Sequence, residues 1–90
     1  MEIQDNRTAH QFELPVTGGV ARLEYRRTPH ALVLLHTEVP ESARGGGVGG
    51  RLVDAALQAA RAEGLTVTPL CPFARAHMEA HGDATGRPSP

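Results

Sequence analysis

The sequence predicts a mixed α/β (α+β) fold, in which a mostly antiparallel sheet carries one crossover helix and a short C-terminal helix. Residues 20–26 alternate between apolar and polar side chains, which is the period of a half-buried strand. Residues 52–60 instead place apolar side chains at helical spacing. Residues 66–70 are rich in Thr and Val, which predicts a strand after this helix. That strand is expected to lie parallel to the strand that precedes the helix. A chain of 90 residues is expected to form one small domain over residues 1–90.

The N-terminal half predicts three strands joined by short turns. Residues 1–9 are expected to form a weak first strand or a loose arm. Turn-forming residues at 17–19 and 28–30 separate the apolar runs. Because the second connection is that short, the strands on either side of it form an antiparallel hairpin. The predicted strands are residues 11–16, 20–27 and 31–39.

The C-terminal half predicts a glycine run, a helix, a strand and a second helix. Five of the ten glycines of the chain occupy residues 45–50. An amphipathic helix follows from Arg51 and ends at Gly64, a residue type that commonly terminates helices. A short helix is expected over residues 73–81, and residues 83–90 are expected to form a flexible polar tail.

We expect the hydrophobic core to lie within about residues 11–82. In the second strand, Ala21, Leu23 and Tyr25 share one face, whereas polar residues occupy the other. The predicted core residues are Phe12, Leu14, Leu23, Val33, Leu35, Val53, Leu57, Val67 and Phe73.

Composition and charge exclude several classes of function. The net charge of -1 provides no basic surface, and only three residues are aromatic, so nucleic-acid binding is not expected. No apolar run is long enough to span a membrane, and the N-terminus has no signal-peptide core. A single cysteine cannot form an intramolecular disulfide, which is consistent with a reducing compartment. We therefore expect a cytoplasmic protein that binds neither membranes nor nucleic acids.

The glycine run can be compared with three phosphate-binding patterns. It satisfies G-x-G-x-x-G, but any run this rich in glycine does so, and that fingerprint should connect strand and helix directly. A P-loop is excluded because it requires a lysine and the chain has none. The third pattern, [QR]-x-x-G-x-[GA], is matched by residues 44–49 between a buried strand and an amphipathic helix. The first amides of a helix lack intrahelical acceptors, and glycine lets them approach an anion closely.

Two further blocks accompany this loop, HTEVP at residues 36–40 and CPF at residues 71–73. Together the three blocks resemble small stand-alone members of the GCN5-related N-acetyltransferase superfamily, over about residues 11–82. The resemblance implies that the fold is similar to that family's, that acetyl-CoA is bound, and that its pantetheine arm lies between two diverging strands. The implied cofactor-binding residues are Thr37, Val39, Arg44, Gly45, Gly46, Gly47, Val48, Gly49, Gly50, Cys71, Pro72 and Phe73.

Four residues are candidates for proton transfer. Glu38 is the first candidate for the general base, and His36 lies two residues earlier on the same strand face. Cys71 could contact the pantetheine, protonate the departing thiolate or carry the acyl group, or be a small buried apolar residue. Larger relatives place a tyrosine on the following helix, and His77 stands near that place here. His77 and His81 lack a third ligand in the sequence, so no metal site is predicted.

The resemblance thus predicts an N-acetyltransferase that transfers acetyl from acetyl-CoA to an amine. The chain lacks room for the elements that wall the acceptor groove in longer relatives, so the site is expected to be open. The acceptor is then a small molecule or a protein, or a second copy of the chain completes the wall as a homodimer. The alternatives are a CoA-binding module without catalysis and an interaction domain.

Overall fold

The structure, a computed structural model, describes residues 3–81. Its elements are β1 (Gln4–Asn6), β2 (Gln11–Val16), β3 (Gly19–Arg27), β4 (Ala31–Glu38), a 3₁₀ turn (Glu41–Ala43), α1 (Val48–Glu63), β5 (Thr66–Pro69) and α2 (Pro72–Ala80). The strands form one sheet in the order β1-β2-β3-β4-β5, so each strand pairs with the next along the chain. Every pair is antiparallel except β4 with β5, which is parallel. The predicted mixed, mostly antiparallel fold is therefore confirmed.

Both helices pack against the face of the sheet that carries the core residues. α1 contacts strands β2 to β5, whereas α2 packs beside α1 against the last two strands. Gly64 ends α1 in the left-handed conformation, with φ of 72°, and its N–H group donates to the carbonyls of Ala60 and Arg61. Within residues 3–81, no helix is long and apolar enough to cross a lipid bilayer.

The predicted elements are present, with shifts at their ends. The weak strand expected within residues 1–9 is the three-residue β1. α1 begins at Val48 rather than at Arg51, so Gly49 and Gly50 lie in its first turn despite their low helix propensity. The flexible tail predicted for residues 83–90, and residue 82 at the end of the predicted core region, lie outside the described residues.

The core lies between the sheet and α1, and six of its predicted members are buried: Phe12, Leu14, Leu23, Val53, Leu57 and Val67. Three core predictions were wrong. Leu35 is 39% exposed, Phe73 is 47% exposed and Val33 is only half-buried. Leu32 and Leu34 fill the core from β4 instead. β4 carries apolar residues on both faces, so its sequence does not identify the buried one.

A bulge in β4 changes which side chains face the helices. Tyr25 of β3 pairs with Leu34, but the preceding Glu24 pairs with His36, which leaves Leu35 without a partner. Such an extra residue reverses the alternation of side chains beyond it. Thr37 consequently lies opposite the buried Leu23 and shares its face of the sheet.

A polar cluster links β1 and β3 to the last residue of α1, at the opposite end of that helix from the glycine run. The guanidinium of Arg27 donates to Glu63 at the end of α1 (2.7 and 2.9 Å) and to Asp5 of β1 (3.0 Å). It also donates to the Tyr25 hydroxyl (2.7 Å), which in turn donates to Asp5. The hydrogen bond from Arg27 is the main reason that the pKa of Glu63 lies below its ordinary value. We call these four residues the Arg27 cluster.

The Arg27 cluster predicts a pH-dependent contribution to stability. Because the pKa of Glu63 is lower in the folded state, its stabilising effect is complete above its ordinary pKa of 4.5. The effect disappears as the pH falls through the folded value. Glu63→Gln should therefore lower the free energy of unfolding by about 1 kcal/mol at neutral pH, and by much less in acid.

Urea unfolding at neutral and acidic pH measures this difference. Glu79→Gln, which removes an exposed carboxylate from α2, is the control and should change stability little at either pH. An equal loss for Glu63→Gln at both pH values would contradict the prediction.

Candidate active site

The glycine run turns the chain from the 3₁₀ turn into the first turn of α1. Gly45 and Gly47 adopt left-handed conformations, with φ of 87° and 77°. The first hydrogen bond of the helix runs from the N–H group of Arg51 to the carbonyl of Gly47 (3.1 Å). The amides of residues 48–50 precede that bond, so they have no acceptor within the helix and carry the positive end of its dipole.

The glycines of this run serve two different purposes. A Cβ on Gly45 or Gly47 would meet nothing within 4 Å, so these positions need glycine for their backbone conformation. A Cβ on Gly49 would lie 2.8 Å from Phe73 Cζ, and one on Gly50 would lie 2.7 Å from His77 Cε1. At these two positions glycine accommodates the close approach of the Phe73 and His77 rings of α2.

A cleft of about 470 Å³ opens between the end of β4 and the first turn of α1. It extends from the strand end, through the loop, to a ring of α2. Its lining residues are His36, Thr37, Glu38, Val39, Ala43, Arg44, Gly45, Gly47, Val48, Gly49, Gly50 and Phe73. Most of the residues that the sequence predicts for the cofactor and for catalysis are thus brought together around one concavity.

Among residues 3–81, no strand pairs with one edge of β4 beside this cleft. The ladder to β5 ends where Leu34 pairs with Pro69, whereas β4 continues to Glu38. The amides of Leu70 and Cys71 both donate to the Leu34 carbonyl (3.0 Å each) as the chain turns away. Beyond Leu34, β4 therefore presents backbone N–H and C=O groups to the gap between the strands.

Cys71 is buried at the end of that gap, where it precedes the first residue of α2. Its sulfur lies 3.4 Å from the Thr37 hydroxyl, which the bulge in β4 turns toward it. Burial alone would raise the pKa of the Cys71 thiol, but hydrogen bonds with the Thr37 hydroxyl and with nearby backbone groups outweigh it and lower the pKa. Cys71 does not line the cleft itself, whereas Thr37, whose hydroxyl contacts its sulfur, does.

Glu38 and His36 lie at the mouth of the cleft and are partly exposed to solvent. Oε1 of Glu38 accepts a hydrogen bond from Arg22 of β3 (2.8 Å) and lies 3.4 Å from His36 Nε2. Arg22 also donates to Glu24 (3.1 Å), so its guanidinium bridges two carboxylates. The arrangement fixes one oxygen of Glu38, a position that sequence reasoning missed because it depends on cross-strand pairing.

His77 occupies a different environment from the one its sequence position suggests. Its ring lies against Gly50, with Nε2 2.9 Å from Oδ1 of Asp54 on α1, and it does not line the cleft. The tilted ring of His81 packs on it, with ring centroids 4.2 Å apart. Within residues 3–81, no group of three His, Cys, Asp or Glu residues is arranged to hold a metal ion.

Three predicted cofactor residues also lie outside the cleft lining: Gly46, Cys71 and Pro72. Pro72 is the first residue of α2, where a proline is favourable because its missing N–H group would have no partner. Ala43, which does line the cleft, was not predicted, because a small residue in a polar segment gives no sequence signal.

Comparison with known proteins identifies the family of this chain. No match was found among curated proteins. A family model described as GCN5-related N-acetyl-transferase matches residues 11–86, which is most of the chain. That match includes the glycine run, the bulged strand and both helices that form the cleft. The protein therefore belongs to the GCN5-related N-acetyltransferase family.

Proposed function

We propose that this protein transfers an acetyl group from acetyl-CoA to an amine. Membership of the family supports acyl transfer in general. The observation that carries the more specific proposal is the continuity of the cleft, which joins the open first turn of α1 to the unpaired edge of β4. One ligand with an anionic end and an amide-containing arm would satisfy both parts.

The first turn of α1 fits a pyrophosphate. Its amides and the helix dipole favour an anion, and the glycines at 45 and 47 leave open space around the turn. Arg44 lines the same end of the cleft and can add a charge-assisted contact. Its Nε donates to the Val39 carbonyl (3.2 Å), which anchors the side chain beside the loop.

The unpaired edge of β4 fits the arm of CoA. Thr37, Glu38 and Val39 line the cleft along this edge, and their backbone groups can pair with amides as a neighbouring strand would. The ring of Phe73 forms the facing wall and supplies apolar contact.

Acetyl-CoA supplies an acyl group that is activated as a thioester. For that group to be attacked, the amine must lose its proton, and Glu38 is placed to accept it directly or through a water molecule. Oε1 is held by Arg22, so Oε2 is the oxygen that receives the proton. His36 Nε2, beside the same carboxylate, is the alternative acceptor.

The departing thiolate requires a proton, and Cys71 is the best-placed donor. Thr37 lines the cleft and contacts the Cys71 sulfur, so a proton from Cys71 can reach the cleft through the threonine hydroxyl. Direct acyl transfer to Cys71 is less compatible with its burial and with its position outside the cleft lining. His77 is directed toward Asp54, which disfavours it as the acid.

A CoA-binding module without catalysis is the second candidate function. Tyr25 is the only tyrosine of the chain, and it belongs to the Arg27 cluster rather than to the cleft. Longer relatives place a tyrosine on the helix that corresponds to α2, where it protonates the departing thiolate. In this chain no tyrosine supplies that proton from α2. Whether transfer occurs separates the two functions.

The acceptor side of the cleft is open. Glu38 is half exposed at the cleft mouth, with no second layer over it among the residues that the structure describes. An open wall accommodates a protein terminus or side chain as well as a small amine, and a second copy of the chain could complete it.

Calorimetric titration with acetyl-CoA tests the binding half of the proposal. Gly45→Asn and Gly45→Asp form a matched pair, because both side chains tolerate a left-handed backbone and differ only in charge. We expect the Asn variant to bind nearly as well as the wild type and the Asp variant to bind about tenfold more weakly, through repulsion of the pyrophosphate. Absence of wild-type binding at millimolar acetyl-CoA, or equal affinities for the two variants, would refute a pyrophosphate at this turn.

Transfer of radiolabelled acetyl to a panel of amines and basic peptides tests the catalytic half. Glu38→Gln should reduce turnover by about 10²–10⁴-fold and leave the affinity for CoA unchanged, because it removes only the base. Glu41→Gln, in the 3₁₀ turn outside the cleft lining, is the control. Binding without transfer to any acceptor would favour the non-catalytic module.

A further inference from the structure

One contact between the two helices lies directly behind the glycine turn. The His77 side chain is 13% exposed and its ring lies on Gly50, leaving no room for a Cβ there. The same ring reaches Asp54, four residues further along α1. Residues four apart lie on one face of a helix, so His77 contacts α1 at two positions that are one turn apart.

Neighbouring rings keep His77 in this place. Phe73 stacks along one side of it, with ring centroids 6.3 Å apart and planes inclined by 17°, and His81 packs on another. A ring held by two aromatic neighbours and one hydrogen bond has little freedom to turn away. The first turn of α1 is formed by residues of low helix propensity, so it depends on such external support.

We infer that His77, held by Asp54, is a positioning residue for the first turn of α1. It fixes the direction of the amides that bind the anionic end of CoA, without touching the ligand. This inference rests on the proposed binding of CoA at that turn. It gives His77 a role in binding in place of the acid role that its sequence position suggests.

A double-mutant cycle with CoA titration tests this inference. Gly50→Ala inserts a methyl group against the His77 ring and should displace the turn, weakening CoA binding about tenfold. His77→Ala removes the support and should also weaken binding. In the combined variant the methyl group has room, so Gly50→Ala should cost no further affinity once His77 is absent. His30→Ala, which removes an exposed histidine from the turn before β4, is the control.

The cycle separates positioning from direct obstruction. If the new methyl group blocks the ligand itself, Gly50→Ala will cost the same affinity in both backgrounds, and the inference is overturned. It is also overturned if the variants lose thermal stability but bind CoA with unchanged affinity, since the contact is then only structural.

Asp54→Ala tests the same inference without a substitution in the glycine turn or at His77 itself. Asp54 is 64% exposed and lies outside the cleft lining, so this variant is expected to fold. Removal of a negative charge from α1 should by itself favour an anion, whereas release of His77 should weaken CoA binding severalfold. Unchanged or tighter binding overturns the inference. Failure of the wild type to bind CoA refutes the proposed function, whereas normal wild-type binding with an additive cycle refutes only the role of His77.

Discussion

The extra residue in β4 is the constraint on which the site depends. Without a bulge at Leu35, Thr37 would share the outer face with Leu35, and Glu38 would point under the helices. With it, Thr37 reaches the buried Cys71, and Glu38 and His36 emerge at the cleft mouth beside Arg22. Because of this one unpaired residue, the Thr37 hydroxyl and the Cys71 thiol lie on the inner side of the strand end, and the Glu38 carboxylate and the His36 imidazole lie on the outer side. The two groups lie on opposite sides of the same strand end.

The glycine run combines conformational and packing requirements within six residues. Its first part needs backbone angles that other residues adopt only with strain, whereas its last part needs the absence of a side chain under Phe73 and His77. The anion-binding geometry of a helix end and the packing of two helices are thus encoded in one segment. α2 contributes to the cleft in both ways, through the Phe73 wall and through the support of the turn behind it.

The sequence predicted the strands and the order of elements, because alternation, turn residues and the glycine run are local signals. The family resemblance, carried by three short blocks, predicted most of the residues that line the cleft. It could not identify the buried face of β4, since apolar residues occupy both faces and the bulge arises from pairing with β3. The roles of Arg22 and Asp54 were missed for the same reason, as each acts across elements distant in sequence. His77 was placed correctly on a helix, but its neighbours are decided by the packing of α2 on α1.

In the proposed complex, one ligand spans the helix turn and the unpaired strand edge. An NMR titration of the labelled protein with CoA observes both parts at once through their backbone amides. We expect the largest shifts to occur together in residues 45–50 and 37–39, with the amides of the Arg27 cluster unchanged. Shifts confined to one of the two segments, or centred elsewhere in the fold, would contradict it.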